Sequence, residues 1–230
     1  MALVKYGPMV AEVSGKIGGS VYARNRGGAY VRDWTKPLVS TSPYALAAKA
    51  RLAAYAQAWQ GLTDAQRASW KAWAQSNPIT NRLGEPRVLS GSQAYVQING
   101  VLGAIGSATI SVPPTGTAPL ALATLVADGD IGAGDFDLTY TATPTAADDK
   151  LYIQACVVAS AGIRYVTNLY RLIGVSAAAQ ASPFDVQALF VARFGTPNVG
   201  DTVHFAVSVV DSVTGLLSQP IRDSVVVTTT

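Results

Sequence analysis

The amino-acid sequence predicts a mixed, multi-domain chain in which an α-helical half is followed by an all-β half. Three observations carry this. Apolar residues recur at helical spacing from about residue 44 to 106 and alternate with polar ones from residue 120 onward. Between the two patterns lies Val112-Pro-Pro-Thr-Gly-Thr-Ala-Pro119, whose three Pro read as an extended linker. The charge changes sign at the same place. Met1–Ile110 holds 12 Lys and Arg against 4 acids, a net of +8; Ser111–Thr230 holds 5 against 10, all Asp, a net of −5. The predicted parts are a basic arm over 1–41, a helical module over 42–110, the linker over 111–119 and a β-sandwich over 120–230.

The arm is Gly-rich and lacks a helical period. Ser20-Val-Tyr-Ala-Arg24 and Ala29-Tyr-Val-Arg32 are short β-like runs, and Asn25-Arg-Gly-Gly28 between them is a turn signal, so a small β-hairpin is expected. Alternation puts Tyr22 and Arg24 on one face of their strand, and Tyr30 and Arg32 together on one face of theirs. An isolated hairpin is marginal in water. Ordering a residue costs about 1–2 kcal/mol of backbone entropy, so the arm is expected to be mobile alone and ordered against a partner.

Three helices are expected next. Ser42 suits an N-cap and Pro43 a first helical position; Tyr44 to about Gln60 is rich in Ala, Leu, Lys, Arg and Gln. Its apolar stripe is Leu52, Tyr55, Ala56 and Trp59. Thr63-Asp-Ala-Gln66 is a capping box that opens a second helix, which stops before Asn77-Pro78. Trp59, Trp70 and Trp73 are expected to stack in one helical-hairpin core, the usual use of such large apolar area. Pro78 to Leu89 reads as a polar loop. Ser90-Gly-Ser-Gln93 repeats the capping box before a third helix carrying Tyr95, Ile98, Val101 and Leu102.

Beyond the linker seven runs read as strands: Leu120–Ala127, Phe136–Thr143, Lys150–Ala159, Arg164–Ile173, Phe184–Phe194, Thr202–Asp211 and Leu216–Thr228. Val, Thr, Tyr and Phe dominate them, and Gly, Asp and Pro clusters separate them. Seven short strands at this spacing predict an immunoglobulin-like or fibronectin-III-like sandwich. Pro220 splits the last run, as an edge strand tolerates.

Composition narrows the function classes. Charged residues make up 13 % and apolar ones 49 %, which argues for packed cores over disorder. No apolar run reaches the roughly 18 residues of a membrane span, and the first residues lack the pattern of a signal peptide. One Cys, Cys156, and one His, His204, exclude a disulfide framework and a zinc finger. Both lie in strand-like apolar runs, where a Cys is most often a small core hydrophobe. No catalytic residue and no cofactor is assigned.

Asp128, Asp130 and Asp135 crowd a Gly-rich turn and form a weak candidate calcium loop. They lack an EF-hand's further ligand and closing Glu, so a solvated turn is the favoured reading. Gly15-Lys-Ile-Gly-Gly-Ser20 lacks the Gly-Lys-Ser ending of a phosphate loop and no helix follows it. The cluster Arg24, Arg26, Arg32 and Lys36 suits phosphates or the acids of a protein neighbour. The small, neutral residues around it favour a protein surface, because nucleic-acid footprints are denser in charge.

The segment Gly15-x-x-Gly-Gly-x-Val-Tyr-x-Arg-Asn-Arg-x-Gly-x-Tyr-Val-Arg32 resembles the opening of a family of virion structural proteins of tailed phages and prophages. The Trp-x-x-Leu-Thr-x-x-Gln-Arg-x-x-Trp segment from Trp59 to Trp70 is similar to that family's next motif. Ser90, Gly91, Tyr95 and Asn99 match a later one. The resemblance covers Gly15 to about Gly106. It implies a virion component without enzyme activity, made in the host cytoplasm and present in the particle as a homo-oligomer. The expected partners are a major capsid or tail protein, with neither nucleic acid nor membrane bound. The expected role is capsid decoration, with a tail, collar or fibre position or a receptor- or glycan-binding module as alternatives. Arg24, Asn25, Arg26, Tyr30 and Arg32 are the expected assembly contacts.

Overall fold

The computed structural model describes residues 2–25, 28–36, 41–80, 86–130, 136–141, 146–160, 162–163 and 165–229, the side chains of Ala2, Leu3 and Asn25 excepted. Contacts divide the chain into two compact units, Met1–Ala47 and Ala48–Thr230, with the boundary inside the first helix.

The first unit carries strands β1 (Ala2–Leu3), β2 (Gly15–Ile17), β3 (Ser20–Asn25) and β4 (Gly28–Asp33) in an antiparallel sheet of order β1-β4-β3-β2. The expected hairpin is β3–β4, with Asn25 opposite Gly28. It is part of a four-stranded sheet, larger than the sequence predicts. Gly18, at φ +58°, supplies the left-handed residue that a two-residue turn requires, so Ile17 pairs with Ser20 and β2 adds to the hairpin.

The helices are α1 (Pro43–Gln60), α2 (Asp64–Ser76) and α3 (Gly91–Ala104). Both capping boxes form. Thr63 Oγ1 accepts the Gln66 amide at 3.3 Å and Gln66 Oε1 accepts the Thr63 amide at 2.9 Å. Ser90 and Gln93 repeat this at 3.2 and 3.0 Å. Within the expected loop, β5 (Ile79–Thr80) pairs with β6 (Pro86–Arg87).

Trp59, Trp70 and Trp73 share one hydrophobic core, as expected, but they do not form it as a hairpin of α1 and α2. Tyr95 of α3 lies between Trp59 and Trp70, with ring centroids 5.6 and 5.4 Å away. Trp73 meets Trp70 edge-on at 6.0 Å. Only Trp70 of the three is fully buried. α2 packs on α3, and Tyr55 of α1 reaches α3 because Gly103 has no side chain; a Cβ there would overlap the Tyr55 hydroxyl. Leu52, expected on the inner stripe, is 57 % exposed. The mostly Ala surface of α1 defines its inner side weakly, and Tyr55 settles it.

The β half comprises β7 (Thr124–Ala127), β8 (Asp137–Thr141), β9 (Asp149–Val158), β10 (Arg171–Ala178), β11 (Phe184–Asp185), α4 (Gln187–Phe194), β12 (Thr202–Asp211) and β13 (Ile221–Val226). One antiparallel sheet has the order β10-β9-β12-β13 and the other β11-β8-β7. Leu125, Phe136 and Leu138 from one side and Ile153, Val203 and Phe205 from the other enclose a single core. Two expected strands differ. The run from residue 164 yields a turn, Leu169 N–H to Val166 O at 2.8 Å, before β10 begins at Arg171. Phe184–Phe194 is mostly helix: Val186, Phe190 and Phe194 recur every fourth residue, and Phe190 stacks on Phe136 with centroids 5.1 Å apart. β13 starts directly after Pro220 and lies at the sheet edge.

From Ala48 onward the helices and the β half belong to one compact unit, although their sequence patterns predict separate domains. Val210, Tyr152 and Val175, on the outer face of the four-stranded sheet, share a cluster with Tyr95, Ile98 and Leu102. The stretch expected as a linker is anchored at its start. Buried Asn99 accepts the Ile110 amide at 2.8 Å and donates to the Ile110 carbonyl at 3.1 Å. Pro114 is buried.

Candidate assembly surface

The arm sheet is built by strand parity. In an antiparallel ladder, directly opposed residues share a face. Tyr22 opposes Val31 and Gly15, and Arg24 opposes Ala29; these form one face. Val21 opposes Arg32 and Lys16, and Ala23 opposes Tyr30; these form the other. The expected contact residues are therefore not brought onto one surface: Arg24 lies on one face, Tyr30 and Arg32 on the opposite one.

The two faces differ in chemistry. On the first, Arg24 meets Glu12 at 3.9 Å, with both side chains about half exposed or more (63 % and 49 %). Such a pair contributes about 0–1 kcal/mol. On the second, Lys16 Nζ sits 3.7 Å from the centroid of the Trp34 ring, a cation–π contact beside Arg32. Lys16 and Trp34 were missed in the sequence. The two-residue Gly18-Gly19 turn was the signal, because it sets the register that places Lys16 opposite Val21.

No described residue of the arm is buried. Ile17 is 64 % exposed and Trp34 50 %. A single-layer sheet has no enclosed side, so its Tyr, Val, Ile and Trp side chains meet water on both faces. Arg26 lies outside the described residues, as does the side chain of Asn25.

The other sequence candidates fall elsewhere. Asp128 accepts its neighbour's amide, Gly129 N–H, at 2.7 Å, and Asp130 bridges to Thr228 in the backbone. Asp135 lies outside the described residues. Among the described residues, no group of three His, Cys, Asp or Glu stands close enough to hold a metal ion. Cys156 and His204 are directly opposed on β9 and β12. Burial pushes the Cys156 thiol up, against smaller opposing effects of a His204 backbone hydrogen bond and the Arg171 charge, which keeps it from ionising readily. Asp149 and Asp211 also oppose each other, at one end of the same strand pair. Asp211 is held in its own turn, accepting the Thr214 hydroxyl at 2.7 Å and the Val213 amide at 2.8 Å. Among the described residues, no helix is long and apolar enough to cross a membrane. The chain matches no protein-family model and no curated protein sequence.

Proposed function

We propose that the chain is a non-enzymatic structural protein of a tailed-phage virion, a capsid decoration protein whose N-terminal sheet docks on a neighbouring virion protein. The observation that carries the docking role is a four-stranded sheet with no buried residue among those described, and with apolar and cationic side chains on its faces. Such a layer gains its missing burial by lying on another protein surface or extending that protein's sheet. The virion context rests on the resemblance of Gly15–Arg32 and Trp59–Trp70. α1 supports a contribution from the helical module, because it leaves Tyr44, Leu46 and Leu52 half exposed or more. The strand orders β11-β8-β7 and β10-β9-β12-β13 support a fibronectin-III-like sandwich, displayed outward, whose fifth strand is cut to two residues by α4.

The test is complementation of a phage lacking this protein, followed by weighing the protein in purified heads and tails. The full chain is expected in heads, and a chain without residues 1–41 is expected to be lost from particles. Full incorporation of the shortened chain refutes docking through the arm. Recovery with tails assigns the protein to a tail, collar or fibre position.

A further inference from the structure

The outer face of the four-stranded sheet has two halves. The helices cover the half around Val210 and Tyr152. The other half carries a cavity of about 510 Å³, floored by β12 and β13 and walled by the Val166–Tyr170 turn. Strand parity decides what lines the floor. Thr202 and His204 alternate on β12, opposite Val226 and Ser224 of β13, with Arg222 two residues from Ser224.

Two floor atoms are out of place in a purely structural surface. Thr202 Oγ1 and His204 Nε2 are shielded from solvent and have no hydrogen-bond partner among the described residues. Thr202 is only 5 % exposed. A buried polar group without a partner is destabilising, and such groups in native proteins call for an explanation. Arg222 adds a cation beside them, its guanidinium carbon 5.8 Å from the Tyr170 ring centroid. Asp223 is the one acid among the described lining residues, and its carboxylate is engaged on β7, accepting the Ala127 amide at 2.8 Å. The wall is held in place: Arg171 Nη1 donates to the carbonyls of Asn168 and Tyr170 at 3.0 and 2.8 Å.

We infer that this cavity binds an oxyanion, a carboxylate or phosphate group of a small polar molecule, held by the Arg222 guanidinium and by hydrogen bonds from Thr202 Oγ1 and His204 Nε2. The donor set matches oxygen acceptors. A planar guanidinium suits both groups, and the two shielded atoms gain the partners that no described residue provides. A concave site of mixed polar and apolar lining suits small-ligand recognition, and Thr202 Oγ1 and His204 Nε2, shielded in the free protein, meet the ligand by side-chain rotation. This inference is independent of the docking role of the arm.

Inorganic phosphate, glucuronate and uncharged glucose are titrated into the full chain by calorimetry at low salt. Backbone amide shifts are followed by NMR. Saturable binding is expected for phosphate or glucuronate and not for glucose, with shifts centred on Thr167, Thr202, His204, Arg222 and Ser224. Phosphate binding identifies a phosphate site, and glucuronate binding a sugar-acid site. Arg222→Ala is expected to weaken binding about tenfold or more, as loss of a charged hydrogen bond does. Thr202→Val is the discriminating variant. It removes the unpartnered hydroxyl at nearly constant shape, so the free protein is expected to melt at the same or a higher temperature while anion binding falls. No saturable binding of either anion overturns the inference. So does binding that survives both substitutions, or binding of glucose equal to that of glucuronate.

Discussion

Trp70 Nε1 donates a 2.9 Å hydrogen bond to the carbonyl of Ser111, so the indole that closes the helical core also fixes the first residue of the Pro-rich segment. Burial and hydrogen bonding are separable here. Trp70→Ala is expected to cost about 3–5 kcal/mol, as for other fully buried Trp side chains. Trp70→Phe keeps the ring against Tyr95 and is expected to cost less. The smaller loss includes about 1 kcal/mol for the hydrogen bond. Trp59→Ala and Trp73→Ala, at half-buried positions, are expected to cost less than Trp70→Ala. Chemical denaturation of the four variants checks the ranking.

Gly215 is required twice over. Its φ is +71°, and a Cβ there would stand 2.9 Å from Leu102 Cγ and 3.1 Å from the Ile98 carbonyl oxygen. Gly215→Ala is expected to destabilise by about 1–3 kcal/mol through backbone strain and overpacking. Gly200→Ala is the control: φ is +91° and nothing lies within 4 Å, so it feels the backbone strain alone. Equal losses in the two variants would show that the Gly215 turn does not press on α3.

Asp149 and Asp211 give opposite pH signatures from one register position. Burial raises the Asp149 carboxyl, and the charges of Asp211 and Asp148 add to this. A folded-state value above the unfolded one means that ionised Asp149 costs stability. That cost is present above the folded value and disappears below the unfolded value of about 3.9. Asp149→Asn is expected to raise the melting temperature at pH 7, with the gain closing as pH falls toward 4. Burial alone would raise Asp211 too, but bonds from the Thr214 hydroxyl and the Val213 and Thr214 amides outweigh it and hold the carboxyl below its usual range. Its ionised form adds stability above the unfolded value, lost as pH falls through the folded one. Asp211→Asn is therefore expected to lower the melting temperature at pH 7. Melting curves across pH for both variants provide the check.

The β half alone lacks the cover that α3 gives its outer face. Burying a Val side chain contributes about 1.5 kcal/mol or more, and Val210 is fully buried in the shared cluster. Residues 120–230 expressed alone are expected to give a β-type circular dichroism spectrum. They should melt below residues 48–230 and bind a hydrophobic dye. Equal melting temperatures would show that the helices add nothing to the sheet.

For the arm, parity separates the cations. Arg24 has Glu12 as a partner, in the segment that leads into β2, whereas Arg32 shares the opposite face with Lys16 and Trp34. If docking uses the cationic, aromatic face, Arg32→Ala and Lys16→Ala reduce incorporation into particles more than Arg24→Ala does. The loss deepens at high salt because exposed ion pairs are screened. Quantifying the protein in purified particles decides between the faces.

Much of the architecture was legible because it depends on near neighbours. The capping boxes at Thr63 and Ser90, the β3–β4 pairing that sets Asn25 opposite Gly28 and the period-two runs of β9 and β12 are set by interactions within a few residues. The two misread strands had the opposite character. The apolar run Val186–Phe194 suits a strand or a helix by composition, and its fourfold spacing became decisive only against Phe136. The candidate contacts were legible as residue types, while their division between two faces depended on the β3–β4 register that sets Asn25 opposite Gly28.

By itself, then, the sequence determined the order of the parts, the helix starts, the alternating strands and the reversal of charge at the Pro-rich segment. Local backbone preference and periodicity act over a few residues. Only the tertiary structure decided that α3 covers half of the outer sheet, that Tyr95 separates Trp59 from Trp70, and that Thr202, His204 and Arg222 border one cavity. These relations join residues tens of positions apart. They follow from which surfaces exclude water together, a property that no short stretch of sequence contains.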